Sequence, residues 1–380
     1  MPEVTIIPVS NRKQQKQFVE LPWSLYADDP NWTPPLRQNL KELLNYRKHP
    51  FYENAKIQTF LAYHGNEVVG RVAAIIDHGH NEYHNEKRGM VGFFESIDDV
   101  NVSNALFDAA RDWFAEQDIQ LMRGPLNPSM NYECGLLVEG FDAPACFMMT
   151  YNPEYYGKLF EAYGFAKSQD LYAYYGHVDM LKTLDPKIKF VLDEATKRFN
   201  VKVRPAKKRK FHEDIAAFFN IYNLAVQGNW GYVPMTEVEI QHVAASLKLL
   251  IVHDLCVIAE VDEKIVGIVF GLLDYNPIIK KIDGRLFPFG FLKLLFGRRK
   301  VKRIRLISTN VLPEYQRWGM GVVLTGHLLP LALDFGIEDC ELSWVLESNQ
   351  LSRGTIERGG AKRIKTYRIY DFEPKENGNS

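Results

Sequence analysis

The chain has 380 residues, 46% apolar and 24% charged, a composition that excludes the disordered, collagenous and low-complexity classes. Lys plus Arg total 46 against 47 for Asp plus Glu, a net charge of −1, so no global field draws the chain to nucleic acid and any basic function is local. At about 150 residues per domain the length predicts two domains, each able to bury a core.

Cys134, Cys146, Cys256 and Cys340 lack the C-x-x-C spacing of a zinc site or redox pair and are expected as small core residues in a reducing compartment. The N-terminus has no basic region followed by an apolar one, and no stretch approaches the roughly 18 apolar residues a membrane span needs. The expected location is cytoplasmic.

In chain order, 57–76 alternates apolar and polar residues about Gly65-Asn66, the pattern of a β-hairpin. His78, His80 and His84 follow in a stretch that Gly79 and the neighbouring asparagines make read as a loop; no clear third ligand follows, and no metal is expected. After the strand GMVGFFESID come Asp98 and Asp99, with no glycine pair to receive an anion. Residues 123–141, dense in proline, glycine and amides, predict an ordered irregular loop, either a wall of an acceptor pocket or a cover for its own sheet.

A helix over 186–199 links two halves, with the boundary near 180. The second half reads as a strand at 201–204, helices over 211–226 and 236–250, a hairpin at 255–274 turning at Asp262-Glu263, and a strand at 302–312. A helix over 319–335 follows, which Pro330 should kink or end early; then a strand at 338–347, a helix from about 350 and a strand at 363–372. The order matches the first half. Gly70 and Gly267 are 197 residues apart and Gly164 and Gly360 are 196 apart, so two independent landmarks give nearly the same offset, that of a duplicated unit. Strands alternating with helices predict an α/β architecture, with helices layered on each copy's sheet.

The strongest local signal is Val311-Leu312-Pro313-Glu314-Tyr315-Gln316-Arg317-Trp318-Gly319-Met320-Gly321, which leaves an apolar strand and enters a helix. Backbone amides at such a start receive phosphate oxygens, and glycine lets the main chain come close. This run, with Glu341 to Asn349 as the next strand, Ser352 three residues on and Gly360 eleven on, resembles the GNAT superfamily of acyl-CoA-dependent N-acyltransferases. The resemblance is specific over about 300–372. It implies an α+β fold in each copy, a central mixed, mostly antiparallel sheet flanked by helices, with 1–180 a degenerate domain lacking the phosphate loop and 181–380 the acyl-CoA-binding one.

The resemblance also implies acetyl-CoA or a longer acyl-CoA as cosubstrate, held by Val311, Leu312, Gln316, Arg317, Trp318, Gly319, Met320, Gly321, Asn349 and Ser352. The amide near Leu312 would stabilise the oxyanion, and Trp318 would stack on the adenine or simply pack. An amine would attack the thioester directly, with Glu347 and Asn349 as catalytic candidates. Many members carry a tyrosine general acid seven residues after the asparagine; here that position is Ile356, and Tyr367 or Tyr370 would substitute. Residues 152–165 look like a decayed version of the family's last helix.

Leu286 to Gly297 (LFPFGFLKLLFG) runs into Arg298, Arg299, Lys300, Lys302, Arg303 and Arg305. Within the repeat 286–305 is an insertion, either a homodimer contact or a peripheral element meeting the inner membrane face. The expected function is N-acyl transfer, acetylation first, to a small-molecule or lipid amine, with long-chain transfer to a lipid amine at the membrane and a non-catalytic acyl-CoA-binding scaffold as alternatives.

Overall fold

The computed structural model describes residues 3–183, 186–198 and 200–374. The chain opens with β1 (Val4–Pro8), α1 (Arg12–Leu25), α2 (Arg37–Leu43), β2 (Ala55–His64), β3 (Glu67–Asp77), α3 (His78–His84), β4 (Arg88–Ser96) and α4 (Val100–Ala115). Next come β5 (Leu121–Gly124), β6 (Leu126–Asn127), β7 (Glu133–Cys134), β8 (Leu136–Glu139), α5 (Tyr156–Tyr163) and β9 (Ala166–His177). Then follow α6 (Pro186–Arg198), β10 (Lys202–Pro205), α7 (Phe211–Ala225), α8 (Glu237–Leu247), β11 (Cys256–Val261), β12 (Lys264–Leu273), α9 (Asn276–Lys281) and α10 (Gly290–Gly297). The chain ends with β13 (Arg303–Val311), α11 (Pro313–Gln316), α12 (Met320–Phe335), β14 (Asp339–Leu346), α13 (Gln350–Arg358) and β15 (Lys362–Phe372).

These elements form two compact units. One takes in the chain up to Leu171 with Ile279–Pro288 and the segment from Lys365; the other takes in Tyr172–Ile278 and Phe289–Ile364. In the first, the strand order β1-β2-β3-β4-β5-β15 is antiparallel except for the β4–β5 pair, and β8 adds to β15. In the second, β10-β11-β12-β13-β14 is antiparallel except for β13–β14. Each unit thus holds the mixed, mostly antiparallel sheet that the sequence led us to expect, flanked by helices.

The repeat is visible in matched irregularities. A register shift interrupts β3–β4 after Arg71 and β12–β13 after Phe270. The landmark glycines do the same work in each unit: a Cβ on Gly70 would lie 2.8 Å from Leu106 of α4, and one on Gly267 would lie 3.0 Å from Leu324 of α12. Only glycine lets the strand lie that close under its helix. Gly164 and Gly360, at φ +107 and +86, both lie in the left-handed region past a helix end.

In the first unit α4 and α5 close over one face of the sheet, where Phe94, Phe107, Phe160 and Phe165 are buried against one another. Each such ring contributes about 1.5–3 kcal/mol by burial. In the second unit α12 packs on β11, β12 and β13, and α7 on β12 and β13.

Three expectations are corrected. Residues 78–84 form α3 rather than a loop, because the Asp77 side chain accepts from the His80 amide at its start and Asn85 turns left-handed at its end. α12 does not end at Pro330: buried Val323, Leu324, Leu328 and Ala332 hold it, and it stops at Gly336, whose φ of +95 lets its own amide and that of Ile337 bond back into the last turn. Cys340 is half-buried, whereas the other three cysteines are buried; none of the four is in a disulfide.

Candidate active site in the second unit

The parallel pairing of β13 with β14 runs only from Arg303↔Asp339 to Leu306↔Leu342. Beyond it the strands part, leaving an opening beside Ser308–Val311. The Leu312 amide donates to the Val266 carbonyl at 2.9 Å. That bond makes Val311↔Gly267 a non-hydrogen-bonded pair, so the Val311 N–H and C=O face the opening. Of the amides near Leu312, its own is committed to the ladder and that of Val311 faces the opening.

The loop after β13 is braced from within. Gln316 Nε2 donates to the carbonyls of Val311 (3.0 Å) and Ala225 (3.2 Å), and Arg198 stacks 3.9 Å from the Trp318 ring centroid. Trp318 is therefore packed by an arginine of α6. Gly319 starts α12 at φ +77 with no side chain capping it, so the helix's positive end faces out with bare amides. Met320 is fully buried and offers only its backbone. At Gly321 a Cβ would meet nothing nearer than Thr309 Cγ2 at 3.6 Å.

Asn349 caps α13, its Oδ1 accepting from the Ser352 amide at 3.0 Å. The three-residue spacing that drew attention in the sequence is the spacing of an N-cap bond. Glu347 is half-buried at the end of β14, and Arg353 donates to its carbonyl oxygen at 2.8 Å. Arg317 lies just beyond the short α11. Tyr367 and Tyr370 belong to the first unit, where both are fully buried; Tyr370 donates to Glu161, and its burial pushes the phenol up to about 12.

A polar group on the other face of β13 escaped the sequence reading. Cross-strand pairing puts Ser308 opposite Phe270 and Asn310 opposite Ile268, on the side covered by α7. Ser308 Oγ donates to Asn310 Oδ1 at 2.7 Å, and Asn310 is 3% exposed with no partner for its Nδ2 among the described residues. Beside it Arg305 donates to Ser343, whose hydroxyl donates to Glu341 at 2.7 Å, all three buried. The signal available was Ser308-Thr309-Asn310, three polar residues ending an apolar strand.

The first unit is built alike but filled. β4–β5 pairing also stops early, at Met90↔Arg123. There β6 lies in the gap: Asn127 accepts from the Phe93 amide at 2.6 Å, and a Cβ on Gly92 would sit 1.8 Å from the Leu126 carbonyl. The Ser96 amide, which pairs opposite Gly70 as Val311 does opposite Gly267, donates to Tyr156 Oη at 2.9 Å. Glu95 accepts from Tyr26 (2.7 Å) and Tyr156 (2.8 Å) and faces Arg71; burial raises the Glu95 carboxyl and lowers the Arg71 guanidinium. Asp99 caps α4. Part of the 123–141 loop, β6, therefore fills the gap in its own sheet.

His80 is buried, 2.6 Å from Glu86, and burial holds it neutral with a pKa lowered to about 4. Among the described residues no group of three His, Cys, Asp or Glu is placed to hold a metal ion, and no helix is long and apolar enough to cross a membrane.

No protein-family model matches the chain. It is 36% identical to protein YghO of Escherichia coli (strain K12) over 368 residues, 95% of this chain and 93% of that one. It is 34% identical to the bacterial ceramide synthase of Caulobacter vibrioides (strain NA1000 / CB15N) over 379 residues, 97% of each. Among solved structures, a tandem GNAT protein from the clavulanic acid biosynthesis pathway covers 98% of both chains with a TM-score of 0.57 at 11% identity, which gives the fold as a tandem GNAT fold.

Proposed function

The chain belongs to the family that includes protein YghO and the bacterial ceramide synthase, and on that footing we propose that it transfers a long acyl chain from acyl-CoA to the amino group of a lipid amine. The observation that carries the proposal is the opening between β13 and β14, set beside the uncapped glycine start of α12. Pyrophosphate rests on the amides from Gly319 to Gly321, those of Arg317 and Trp318 being held by the Tyr315 carbonyl, and pantetheine runs along the β13 edge at Val311, whose carbonyl already accepts from Gln316. The relative named a ceramide synthase favours a lipid amine over a small polar one.

In the reaction the amine nitrogen attacks the thioester carbon, the C–S bond breaks, and the thiolate leaves with the electron pair. The amine proton passes to Glu347 or to water. The oxyanion is met by the Val311 amide and by Asn310 Nδ2, a donor already desolvated and so held ready at little cost of reorganisation. Ile356 supplies no proton, but a thiol of pKa about 8.5 departs as thiolate without one. The first unit, its own gap filled by β6 and Tyr156, takes no CoA.

The insertion favours work at a membrane. α10 leaves Phe289 and Phe296 68% and 80% exposed while Leu294 anchors it, and Lys293, Arg298, Arg299 and Lys300 lie on or beside it. Aromatic residues beside a basic cluster suit the anionic interface.

Calorimetric titration with acetyl-CoA and palmitoyl-CoA, followed by turnover with a long-chain amine, tests the reading. One equivalent of palmitoyl-CoA bound per chain and amide formation are expected; binding without turnover of any amine would leave an acyl-CoA-binding scaffold.

A further inference from the structure

The first unit contains a cavity of about 670 Å³ away from its filled gap, bounded by α1, α2 and the 284–287 segment. Its wall carries Arg12, Lys16, Arg37, Lys41, Arg47 and Arg285 against a single carboxylate, Glu20. The cationic floor is rigid. Arg37 stacks 3.8 Å from the Trp23 ring, its guanidinium donates to Asp283 at 2.9 Å, and its amide donates to the Gly284 carbonyl at 3.0 Å; Trp23 Nε1 holds the other carboxylate oxygen of Asp283. Gly284, at φ +67, packs so tightly on the Pro35 carbonyl that a Cβ would lie 2.2 Å away.

Some of this charge is already balanced. Arg37 and Arg285 share Asp283, Arg47 lies 4.0 Å from Glu42, and Lys16 lies 3.9 Å from Glu20. Arg12 and Lys41 have no ion-pair partner among the described residues. The remaining wall is apolar: Val19 is buried, and Leu286 and Phe287 form the rim, Phe287 69% exposed. Surplus positive charge in a concave site with an apolar rim matches one amphipathic ligand, an anionic phosphate with a hydrocarbon tail.

We propose that this cavity binds the phosphate headgroup of an anionic membrane lipid, with Arg12 and Lys41 meeting the phosphate, Arg37 fixing the floor, and Leu286 and Phe287 entering the acyl boundary. The inference rests on the membrane reading of the function. It adds a headgroup site in the first unit to the aromatic element of the second. The volume is several times that of a phosphate ion, so the glycerol backbone also has room.

The test is flotation of the full chain with vesicles of phosphatidylcholine containing one-fifth phosphatidylglycerol, compared with pure phosphatidylcholine. Arg12→Gln with Lys41→Gln removes two exposed charges without cutting a contact, and half-binding should need roughly 30-fold more lipid. Palmitoyl-CoA affinity, measured in parallel, should not change. A parent that floats and a double variant that floats equally well overturn the headgroup site while leaving the membrane reading intact. A parent that never floats overturns the lipid source; saturable binding of glycerol 3-phosphate, lost in the double variant, then assigns the cavity to a soluble phosphoester. Floating lost equally on phosphatidylcholine alone would overturn the role of headgroup charge.

Discussion

Gly321→Glu separates stability from function at the start of α12. Gly321 lies in the first turn of α12, and a Cβ there would make an ordinary contact with Thr309 Cγ2 at 3.6 Å, so a side chain enters without a clash at its Cβ. An acidic side chain in the first turn also faces the positive helix end, which stabilises by about 0.3–1 kcal/mol. The same charge opposes pyrophosphate. At about 4 Å and an effective dielectric of 20, one like-charge pair costs about 4 kcal/mol, a factor of roughly 10³ in Kd. The expectation is a thermal midpoint equal to or above the parent's, with CoA binding lost from calorimetric titration at low salt. Gly319→Ala is the contrast: its φ of +77 strains an L-residue by about 1–2 kcal/mol, so it should lower the midpoint. A folded Gly321→Glu protein binding CoA within threefold of the parent would falsify the placement of the pyrophosphate at this helix start.

Three further outcomes are expected. Asn310→Ala removes the Ser308 hydrogen bond and a buried donor that has no partner, two changes that nearly cancel, so urea stability should stay within about 1 kcal/mol. Turnover should nevertheless fall by about 10²-fold with the KM for acyl-CoA unchanged; a raised KM with turnover unchanged would place Asn310 in binding alone. Asn349→Ala, which deletes the cap on α13, should cost about 0.5–2 kcal/mol by urea unfolding, and Asn349→Asp or Asn349→Ser should recover most of it. For His80 the folded pKa of about 4 lies below the ordinary 6.5, so the unfolded chain binds the extra proton. Its contribution is whole above pH 6.5 and declines as pH falls toward 4, with about 2 kcal/mol lost between pH 7 and 5. A His80→Phe protein should show a flatter urea-midpoint profile over that window, and an unchanged slope would show that His80 is not the titrating group.

The division between what was legible in the chain and what was not follows the range of the interactions. Hairpins, helix starts and helix stops are local: Asn11 and Thr236 build capping boxes with the residue three positions on, and Asp262-Glu263 supplies two positive φ values for a tight turn. Such features are written within a few residues, and so is the glycine run before α12. The early end allowed at Pro330 does not occur because its local cost is outweighed by burial of the helix around it, and the segment after Asp77 misled because one capping side chain outweighs an early glycine.

By itself the sequence determined the duplication and the glycine turn before α12, because both depend on spacing, turn chemistry and apolar periodicity, while the mixed, mostly antiparallel sheets came as what the family resemblance implies. Only the tertiary structure decided which main-chain amide faces the opening, since that depends on pairing with Val266 across the sheet. It also placed Tyr367 in the first unit and plugged the first copy's gap with Leu126 and Asn127. The polar face of Ser308 and Asn310 and the cationic cavity of Arg12, Arg37 and Lys41 belong to the same kind. The cavity joins residues nearly 250 positions apart, where Arg37 meets Asp283, and no local pattern encodes such a meeting.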